Sequence, residues 1–203
     1  MQPLPEVTKN LLIINVLMFI AQLTFPHLTQ LLALHPAGYS DNFAPYQIVT
    51  YMFLHSPSML MHIFFNMLAL FMFGRDIEYA LGAKRFLLFY LATGIGAGLL
   101  HLGVQHWELS QGNANSYALT LGASGSIFGL LAAFGMLYPN RIVMLMFPPI
   151  PMKAKYFVLL FGIMELSLGF SGTSTGVAHF AHIGGAIVGF LMILFWRARG
   201  ERF

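Results

Sequence analysis

The chain has 203 residues, of which 58% are hydrophobic and only 8% are charged, and its mean hydropathy is +0.73. Soluble domains carry about 25% charged residues, so this composition excludes an ordinary water-soluble domain and predicts a protein that lies in the lipid bilayer. The net charge of +3 is small, and the basic residues lie only between apolar segments, which argues against a nucleic-acid partner. The absence of cysteine excludes disulfides and thiolate metal sites.

Six apolar segments are long enough, or nearly long enough, to cross a bilayer, which takes about 17–25 residues. They are residues 10–26, 57–74, 86–104, 122–138, 155–170 and 176–196. No basic stretch precedes the first segment and no small-residue cleavage site follows it, so we interpret it as a retained span. The aromatic stretch 27–56 is predicted to be an irregular loop at the membrane interface. We therefore predict an all-α membrane protein with a single domain over residues 1–203.

The ten lysines and arginines fall in alternate connections. They lie in the N-terminal tail, the second-to-third connection, the fourth-to-fifth connection and the C-terminal tail: Lys9; Arg75, Lys84 and Arg85; Arg141, Lys153 and Lys155; Arg197, Arg199 and Arg202. The three other connections have none. Because basic residues mark the cytoplasmic side, this division predicts six spans with both termini in the cytoplasm.

Polar side chains from three spans are predicted to meet in one layer of the membrane. With this orientation, His62 and Asn66 of the second span, Ser124 of the fourth and His182 of the sixth lie roughly 3–15 Å below the outer ends of their helices, at about 1.5 Å per residue. Polar groups inside a span are costly and are therefore candidates for function.

Glycine spacing predicts which helices pack closely. His182, Gly185 and Gly189 share one helix face, and a GxxxG pattern lets two membrane helices approach. The fourth span carries its own glycines around Ser124, namely Gly122, Gly125 and Gly129. We expect these two surfaces to meet and to bring the hydroxyl near the imidazole. Ordinary membrane packing motifs would give the same glycine spacing.

A serine hydroxyl beside a histidine points to nucleophilic catalysis, because the imidazole can take the hydroxyl proton. Unpaired backbone N–H groups at the start of the fourth helix, with His62 and Asn66, are candidates for an oxyanion site. Six of the seven acidic residues lie in loops or on the cytoplasmic side. Only Glu165 lies in the outer part of a span. We expect a Ser–His dyad, with Glu165 either a third member or an outer-end residue near water or hydrogen-bonded to a neighbour.

At these residues the chain resembles the rhomboid family of intramembrane serine proteases. The family pattern is HxxxN in the second span, GxSG at the start of the fourth and AHxxGxxxG in the sixth. Here these motifs are His62–Asn66, Gly122–Gly125 and Ala181–Gly189. The resemblance implies a six-helix rhomboid bundle with Ser124 as nucleophile, His182 as general base, and His62 and Asn66 in the oxyanion site.

Two positions depart from the family pattern. Many members carry tyrosine four residues after the serine, where this chain has Phe128, which keeps the ring but lacks the hydroxyl. Some members carry a Trp-Arg pair in the first outer loop, where Tyr46 and Gln47 stand here, so the role of that pair in anchoring the loop is open.

All eight histidines fall at or near the predicted outer side, which raises the alternative of a metal site. No HExxH occurs, and no acidic residue stands at ligand spacing from a histidine pair, so we predict no metal and no cofactor. His179 is a rival for the base, but the glycine face and the family motif both select His182.

The resemblance implies that the chain hydrolyses transmembrane segments of protein substrates near their outer end. We expect the chain itself to be a multi-pass protein of the bacterial inner membrane. The fifth span and the outer loops are the expected gate for substrates arriving from lipid. Two alternatives stay open: a catalytically inactive relative that binds membrane clients, and a small transporter or channel. A transporter would favour polar groups through the full depth of the bundle, whereas here they cluster in the outer half.

Overall fold

The computed structural model describes residues 3–144, 149–171, 178–201 and 203, and these residues are mostly helical. The α-helices are α1 (Glu6–Thr24), α2 (His27–Leu32), α3 (Gln47–Thr50), α4 (Leu60–Ala69), α5 (Arg75–Leu81), α6 (Ala83–Ser110), α7 (Ser124–Leu137), α8 (Ala154–Phe170) and α9 (His179–Ala198). Two short 3₁₀ turns are Tyr51–Phe53 and Ala114–Tyr117, and a π-helical segment, Leu70–Gly74, joins α4 to α5. A two-stranded antiparallel hairpin joins β1 (Ile142–Met144) to β2 (Pro151–Lys153).

Several of these helices are apolar enough to cross a membrane. Among the described residues, four are long enough as well: Glu6–Thr24, Leu60–Leu81, Ala83–Ser110 and His179–Ala198. Helix α7, with 14 residues, is apolar but shorter. Large apolar side chains such as Leu17, Leu88 and Leu191 face outward from the bundle. A bundle with an apolar surface of this kind is suited to lipid rather than water.

The helices follow the predicted spans with shifted ends. Helix α6 is longer than the predicted span 86–104. It starts directly after Gly82, whose φ of 77° separates it from α5, and it continues past Gln105 to Ser110. The second apolar segment also runs further than predicted, to Leu81. The predicted sixth span begins at residues 176–177, which lie outside the described residues, and α9 begins at His179.

Helix α7 forms the centre of the bundle, and glycines allow its neighbours to approach it. On the α9 side, a Cβ added to Gly185 would lie 1.8 Å from the carbonyl oxygen of Gly125, and one added to Gly189 would lie 2.7 Å from that of Gly129. On the α6 side, a Cβ on Gly129 would meet Thr93 at 2.6 Å. The helices therefore touch backbone to backbone, which fixes the residues near the start of α7 against those near the start of α9.

One end of the bundle, where Arg85, Arg141 and Arg197 lie, is called here the basic end. There the Glu78 carboxylate accepts hydrogen bonds from the backbone N–H groups of Val7 (2.9 Å) and Thr8 (2.6 Å) and from the Thr8 hydroxyl (2.7 Å). Ion pairs join Arg85 to Glu201 at 2.6 Å and Arg141 to Asp76 at 2.9 Å. The C-terminal ends of α5, α7 and α9 meet here, so the starts of α4, α7 and α9 lie at the opposite end.

Residues 27–56 differ from the predicted interfacial loop, because part of this stretch packs into the bundle. Tyr51 and Met52 are buried, and the Tyr51 hydroxyl donates a hydrogen bond to the carbonyl of Gly94 at 2.7 Å. A Cβ on Gly94 would lie 2.1 Å from the Met52 side chain, so this glycine on α6 makes the space that Met52 fills. The loop is therefore part of the core that supports α7.

The side-chain amide of Gln47 anchors the first part of this loop. Its nitrogen donates to the carbonyls of Leu31 (3.1 Å) and Asn42 (2.9 Å), and its oxygen accepts from the backbone N–H of Ala44 at 3.1 Å. The Tyr46 hydroxyl donates to the carbonyl of Leu31 at 3.2 Å. Tyr46 and Gln47 thus hold the loop without a Trp-Arg pair.

Candidate active site

Ser124 is the first residue of α7, at the end of the bundle opposite the basic end. The residue two before it, Gly122, has a φ of 133°, a conformation that side-chain-bearing residues rarely adopt. Its N–H donates to the carbonyl of Tyr51 at 2.9 Å, which ties the turn before α7 to the buried loop. The first hydrogen bond of the helix joins the N–H of Ile127 to the carbonyl of Ala123. The N–H groups of the first three helical residues therefore have no helical acceptor.

His182 lies in the first turn of α9 and is buried, with 8% of its surface exposed. Its Nε2 atom is 2.8 Å from the Ser124 hydroxyl oxygen, within hydrogen-bonding distance. The phenyl ring of Phe128 stacks on the imidazole, with ring centroids 4.3 Å apart and an interplanar angle of 7°. The backbone contact between Gly125 and Gly185 brings these side chains together. Gly125 directly follows Ser124 on α7, and Gly185 lies three residues after His182 on α9.

Glu165 of α8 joins this pair from the side away from Ser124. Its Oε2 atom lies 2.6 Å from Nδ1 of His179 and 2.9 Å from Nδ1 of His182. The carboxylate is buried, with 6% of the residue exposed, and it is hydrogen-bonded to His179 rather than placed near water. Three helices thus supply a hydroxyl, an imidazole and a carboxylate, with the imidazole lying between the other two groups.

Glu165, His179 and His182 also form a group with ligand atoms within 4.8 Å of one another, a size that a metal ion can occupy. Two nitrogen or oxygen ligands of a tetrahedral zinc ion stand about 3.3 Å apart, given bonds of about 2.0–2.1 Å. The 2.6 and 2.9 Å separations are shorter and match hydrogen bonds. The sequence search for metal spacing missed this group because its members lie on two different helices.

His62 of α4 approaches Ser124 beside Gly122. Its Nδ1 accepts a hydrogen bond from the backbone N–H of Ser56 at 3.2 Å, so a neutral ring carries its proton on Nε2. That Nε2 lies 2.9 Å from the point where a Cβ on Gly122 would stand, and Ser124 Oγ lies 3.6 Å from the same point. The missing side chain leaves a small space that both groups border.

Asn66 lies one turn further along α4. Its Nδ2 donates to the carbonyl of His62 at 2.7 Å, which uses one of its two hydrogens, and its Oδ1 is buried with no partner among the described residues. The structure places Asn66 on the wall of a cavity that Ser124 also lines. The amide therefore retains one donor hydrogen.

His55 supports His62 from the loop before α4. The two rings lie 5.1 Å apart, and burial, reinforced by the neighbouring His62, lowers the pKa of His55 to about 3. His55 is therefore neutral at physiological pH and adds no positive charge beside His62.

Gly122 does not pack against α9 as the other glycines do. It precedes α7 and faces His62, whereas Gly125 and Gly129 lie on the helix against α9. This differs from the expectation that all three share one packing surface, because the positive φ at Gly122 turns the chain before the helix begins.

A cavity of about 420 Å³ opens beside Ser124 and Asn66. Its walls are mostly apolar and come from the α4–π segment, α7 and α8, with Phe73, Leu131 and Phe161 among them. It extends toward Val143 and Met144 of β1. An extended or helical apolar chain is the kind of ligand that such walls accommodate.

Comparison with known proteins agrees with the motifs. The model of the rhomboid domain family matches residues 42–199. The chain is 37% identical over 150 residues to rhomboid protease AarA of Providencia stuartii, covering 70% of this chain and 52% of that protein. It is 31% identical over 130 residues to the mitochondrial rhomboid protein 1 of Saccharomyces cerevisiae, covering 64% of this chain and 36% of that protein.

A further similarity is to rhomboid protease GluP of Bacillus subtilis, with 33% identity over 137 residues, 64% of this chain and 22% of that protein. The chain thus spans about half or less of the length of these relatives. The family match covers most of the chain, and the apolar helices described above fit it. This chain therefore belongs to the rhomboid family and is a multi-pass integral membrane protein.

Proposed function

We propose that the chain is an intramembrane serine endopeptidase in which Ser124 is the nucleophile and His182 its base. The observation that carries this proposal is the 2.8 Å separation between Ser124 Oγ and His182 Nε2. Named proteases among the relatives support it. The proposed substrates are membrane proteins that are cut in a transmembrane segment near its outer end.

In the proposed reaction, the Ser124 hydroxyl gives its proton to His182 Nε2 as the oxygen attacks the scissile carbonyl carbon. The carbonyl oxygen becomes an oxyanion, and the tetrahedral intermediate collapses as His182 returns the proton to the leaving amine. Water then attacks the acyl-enzyme as His182 takes one of its protons. The acyl bond to Ser124 breaks, His182 returns that proton to the Ser124 oxygen, and the new carboxyl end is released.

The proposed oxyanion site uses donors that surround the space beside Gly122. The free N–H groups at the start of α7 supply backbone donors, and His62 Nε2–H supplies a side-chain donor. Asn66 contributes its remaining Nδ2 hydrogen once a substrate occupies the cavity. Donors fixed in a water-poor site stabilise developing charge more strongly than the same groups do in water.

We further propose six spans with both termini in the cytoplasm, in a bacterial inner membrane. The supporting observation is that the Lys and Arg segments meet at the basic end, whereas Ser124 and His182 lie at the opposite end. The site then opens toward the outer side. The apolar cavity lined by the α4–π segment, α7 and α8 suits the apolar chain of a substrate, and we propose entry between the α4–π segment and α8.

A fluorophosphonate probe tests the proposed nucleophile directly. We expect the purified chain in detergent or liposomes to form one covalent adduct, which peptide mass spectrometry assigns to Ser124. Heat-denatured protein should form none, because the activated hydroxyl depends on the fold. A relative that only binds membrane clients, or a channel, would form no adduct. An adduct on Ser126 instead, two residues along the same helix, would contradict the assignment.

Phe128 gives a smaller and more specific prediction. Aromatic stacking contributes about 0.5–1.5 kcal/mol, so Phe128→Ala should lower the cleavage rate about 2- to 12-fold by loosening the His182 ring. Phe128→Tyr keeps the ring and should stay close to the unmodified protein. The measurement is kcat on a membrane-spanning model substrate in liposomes. An unchanged rate in Phe128→Ala would show that the ring does not hold the imidazole.

A further inference from the structure

Glu165 is a buried carboxylate in an apolar helix, and such a group is costly to keep without partners. Among the described residues, its two close partners are imidazoles on α9, at 2.6 and 2.9 Å from the same carboxylate oxygen. The nearest acidic alternatives, in loops or at the basic end, are not part of this group. A structural tie between α8 and α9 would need only one of the two histidines.

The contact of Glu165 with the second imidazole, that of His182, has a chemical explanation. A neutral imidazole has one N–H, and a base facing Ser124 through Nε2 must carry its proton on Nδ1. Nδ1 of His182 has no aligned hydrogen bond among the described residues, and Glu165 Oε2 at 2.9 Å is the acceptor within reach. The contact has the distance of a hydrogen bond without its alignment, as is common at resting catalytic sites.

His179 holds the carboxylate in position for this contact. Its Nδ1 is hydrogen-bonded to Glu165 Oε2 at 2.6 Å, and it lies one helical turn before His182 on α9. The carboxylate is thus fixed between two rings that share a helix. When His182 takes the serine proton, the negative carboxylate lies 2.9 Å from the new positive charge.

We propose that Glu165 is a positioning residue for His182: its carboxylate, anchored by His179, sets the imidazole proton on Nδ1 and so turns Nε2 toward Ser124. This inference rests on the proposed protease function and extends the Ser–His pair to a third residue on α8. Proton transfer still passes only between Ser124, His182, the substrate and the attacking water, and Glu165 stays ionised throughout.

The test compares Glu165→Gln, Glu165→Asp and the unmodified chain. Active sites are counted with the fluorophosphonate probe, and kcat and KM are measured per labelled site on a membrane-spanning model substrate in liposomes. In soluble triads the isosteric amide lowers kcat about 10⁴-fold. Here the contact is less aligned, so we expect Glu165→Gln to lower kcat about 10²-fold with KM changed less than about threefold.

Glu165→Asp keeps the charge but shortens the side chain, so its kcat should lie between those of Glu165→Gln and the unmodified chain. The matched control is Glu108→Gln. Glu108 is a half-buried carboxylate of α6 that accepts a hydrogen bond from the Ser116 hydroxyl at 2.7 Å, and the kcat of this variant should be unchanged. An intermediate kcat in Glu165→Asp would show that both the charge and the reach of the carboxylate matter, which simple packing does not predict.

Two outcomes would overturn the inference. In the first, Glu165→Gln lowers only the number of labelled sites or the unfolding temperature, with kcat per site unchanged, which would make Glu165 a tie between helices. The second outcome applies if Glu165→Gln yields no folded protein. The inference is then overturned if Glu165→Asp has the same kcat as the unmodified chain. In either case an adduct on Ser124 would leave the proposed protease function intact, whereas no adduct on the unmodified chain would contradict that function itself.

Discussion

Replacing Ser124 by alanine, or His182 by alanine, is expected to lower the cleavage rate by on the order of 10⁴- to 10⁶-fold, and replacing both should lower it no further. In the proposed mechanism the two groups act as one unit, because the serine oxygen attacks only as the imidazole takes its proton. Removing either partner therefore removes the whole step. The 2.8 Å contact between them is the structural basis for this non-additive result.

The measurement is the release of fragments from a membrane-spanning model substrate in liposomes, with helix-breaking residues near its outer end. Ser126→Ala and His106→Ala are the matched controls. Ser126 is a buried serine on the same helix whose hydroxyl donates to the carbonyl of Tyr90 at 2.8 Å, and His106 lies on α6 with its ring 5.2 Å from that of Tyr39. Both variants should cleave at close to the unmodified rate.

Multiplicative losses in the double variant would indicate that the serine and the histidine act in separate steps. A Ser124→Ala protein that still cleaves at the unmodified rate would remove the proposed nucleophile. In both cases the unfolding temperature of each variant must match that of the controls, because a misfolded bundle would lose activity for another reason.

The sequence was sufficient to predict the family and the helical, apolar character of the fold, and both predictions are confirmed. These features depend on local composition and on short motifs. The length of an apolar run decides whether a helix can cross a bilayer, and HxxxN or GxSG can be read without knowing what packs against it. The six-span count and the orientation stay predictions.

The position of Glu165 could not be decided from the sequence. Whether a residue on α8 faces lipid, water or α9 depends on the rotation of that helix, and α8 has no glycine motif or strong apolar stripe to set it. The sequence therefore left Glu165 as a third member of the site, or as an outer-end residue near water or hydrogen-bonded to a neighbour. The sequence features that could have indicated its position are the presence of a carboxylate within a span and the spacing of His179 and His182 by one helical turn.

The buried part of residues 27–56 was missed for a different reason. Aromatic residues, prolines and a glycine are typical of an interfacial loop, and Tyr51 fits that pattern. The loop packs inward because Gly94 and Gly98 on α6 leave room for Met52 and Tyr51. Such a match between a loop and glycines more than 40 residues away is a tertiary feature, which local patterns do not report.

The glycine contact between α7 and α9 leads to the other large expected effect. In Gly185→Ala, the added methyl would lie 1.8 Å from the carbonyl oxygen of Gly125 and 2.7 Å from its carbonyl carbon. These are backbone atoms of a central helix, so no side chain can turn aside to make room. Overpacking in a core costs about 1–3 kcal/mol and occasionally more, and a clash with backbone belongs at the upper end.

We therefore expect Gly185→Ala to destabilise the bundle by about 3 kcal/mol or more, with a lowered unfolding temperature in detergent micelles. Gly162→Ala on α8 is the matched control, because an added Cβ there meets nothing within 4 Å. Alanine in a helix interior is favoured over glycine by about 0.5–1 kcal/mol, so this control should be as stable as the unmodified chain or more so.

The same substitution should also reduce activity in whatever fraction stays folded. His182 lies three residues before Gly185, so a methyl that pushes α9 away from α7 moves Nε2 away from Ser124 Oγ, and proton transfer weakens steeply beyond hydrogen-bonding distance. Active-site labelling separates the two effects, since it counts the folded sites that still react. If Gly185→Ala unfolded at the same temperature as Gly162→Ala and labelled at the same rate, close backbone packing would not be what holds the serine and the histidine together.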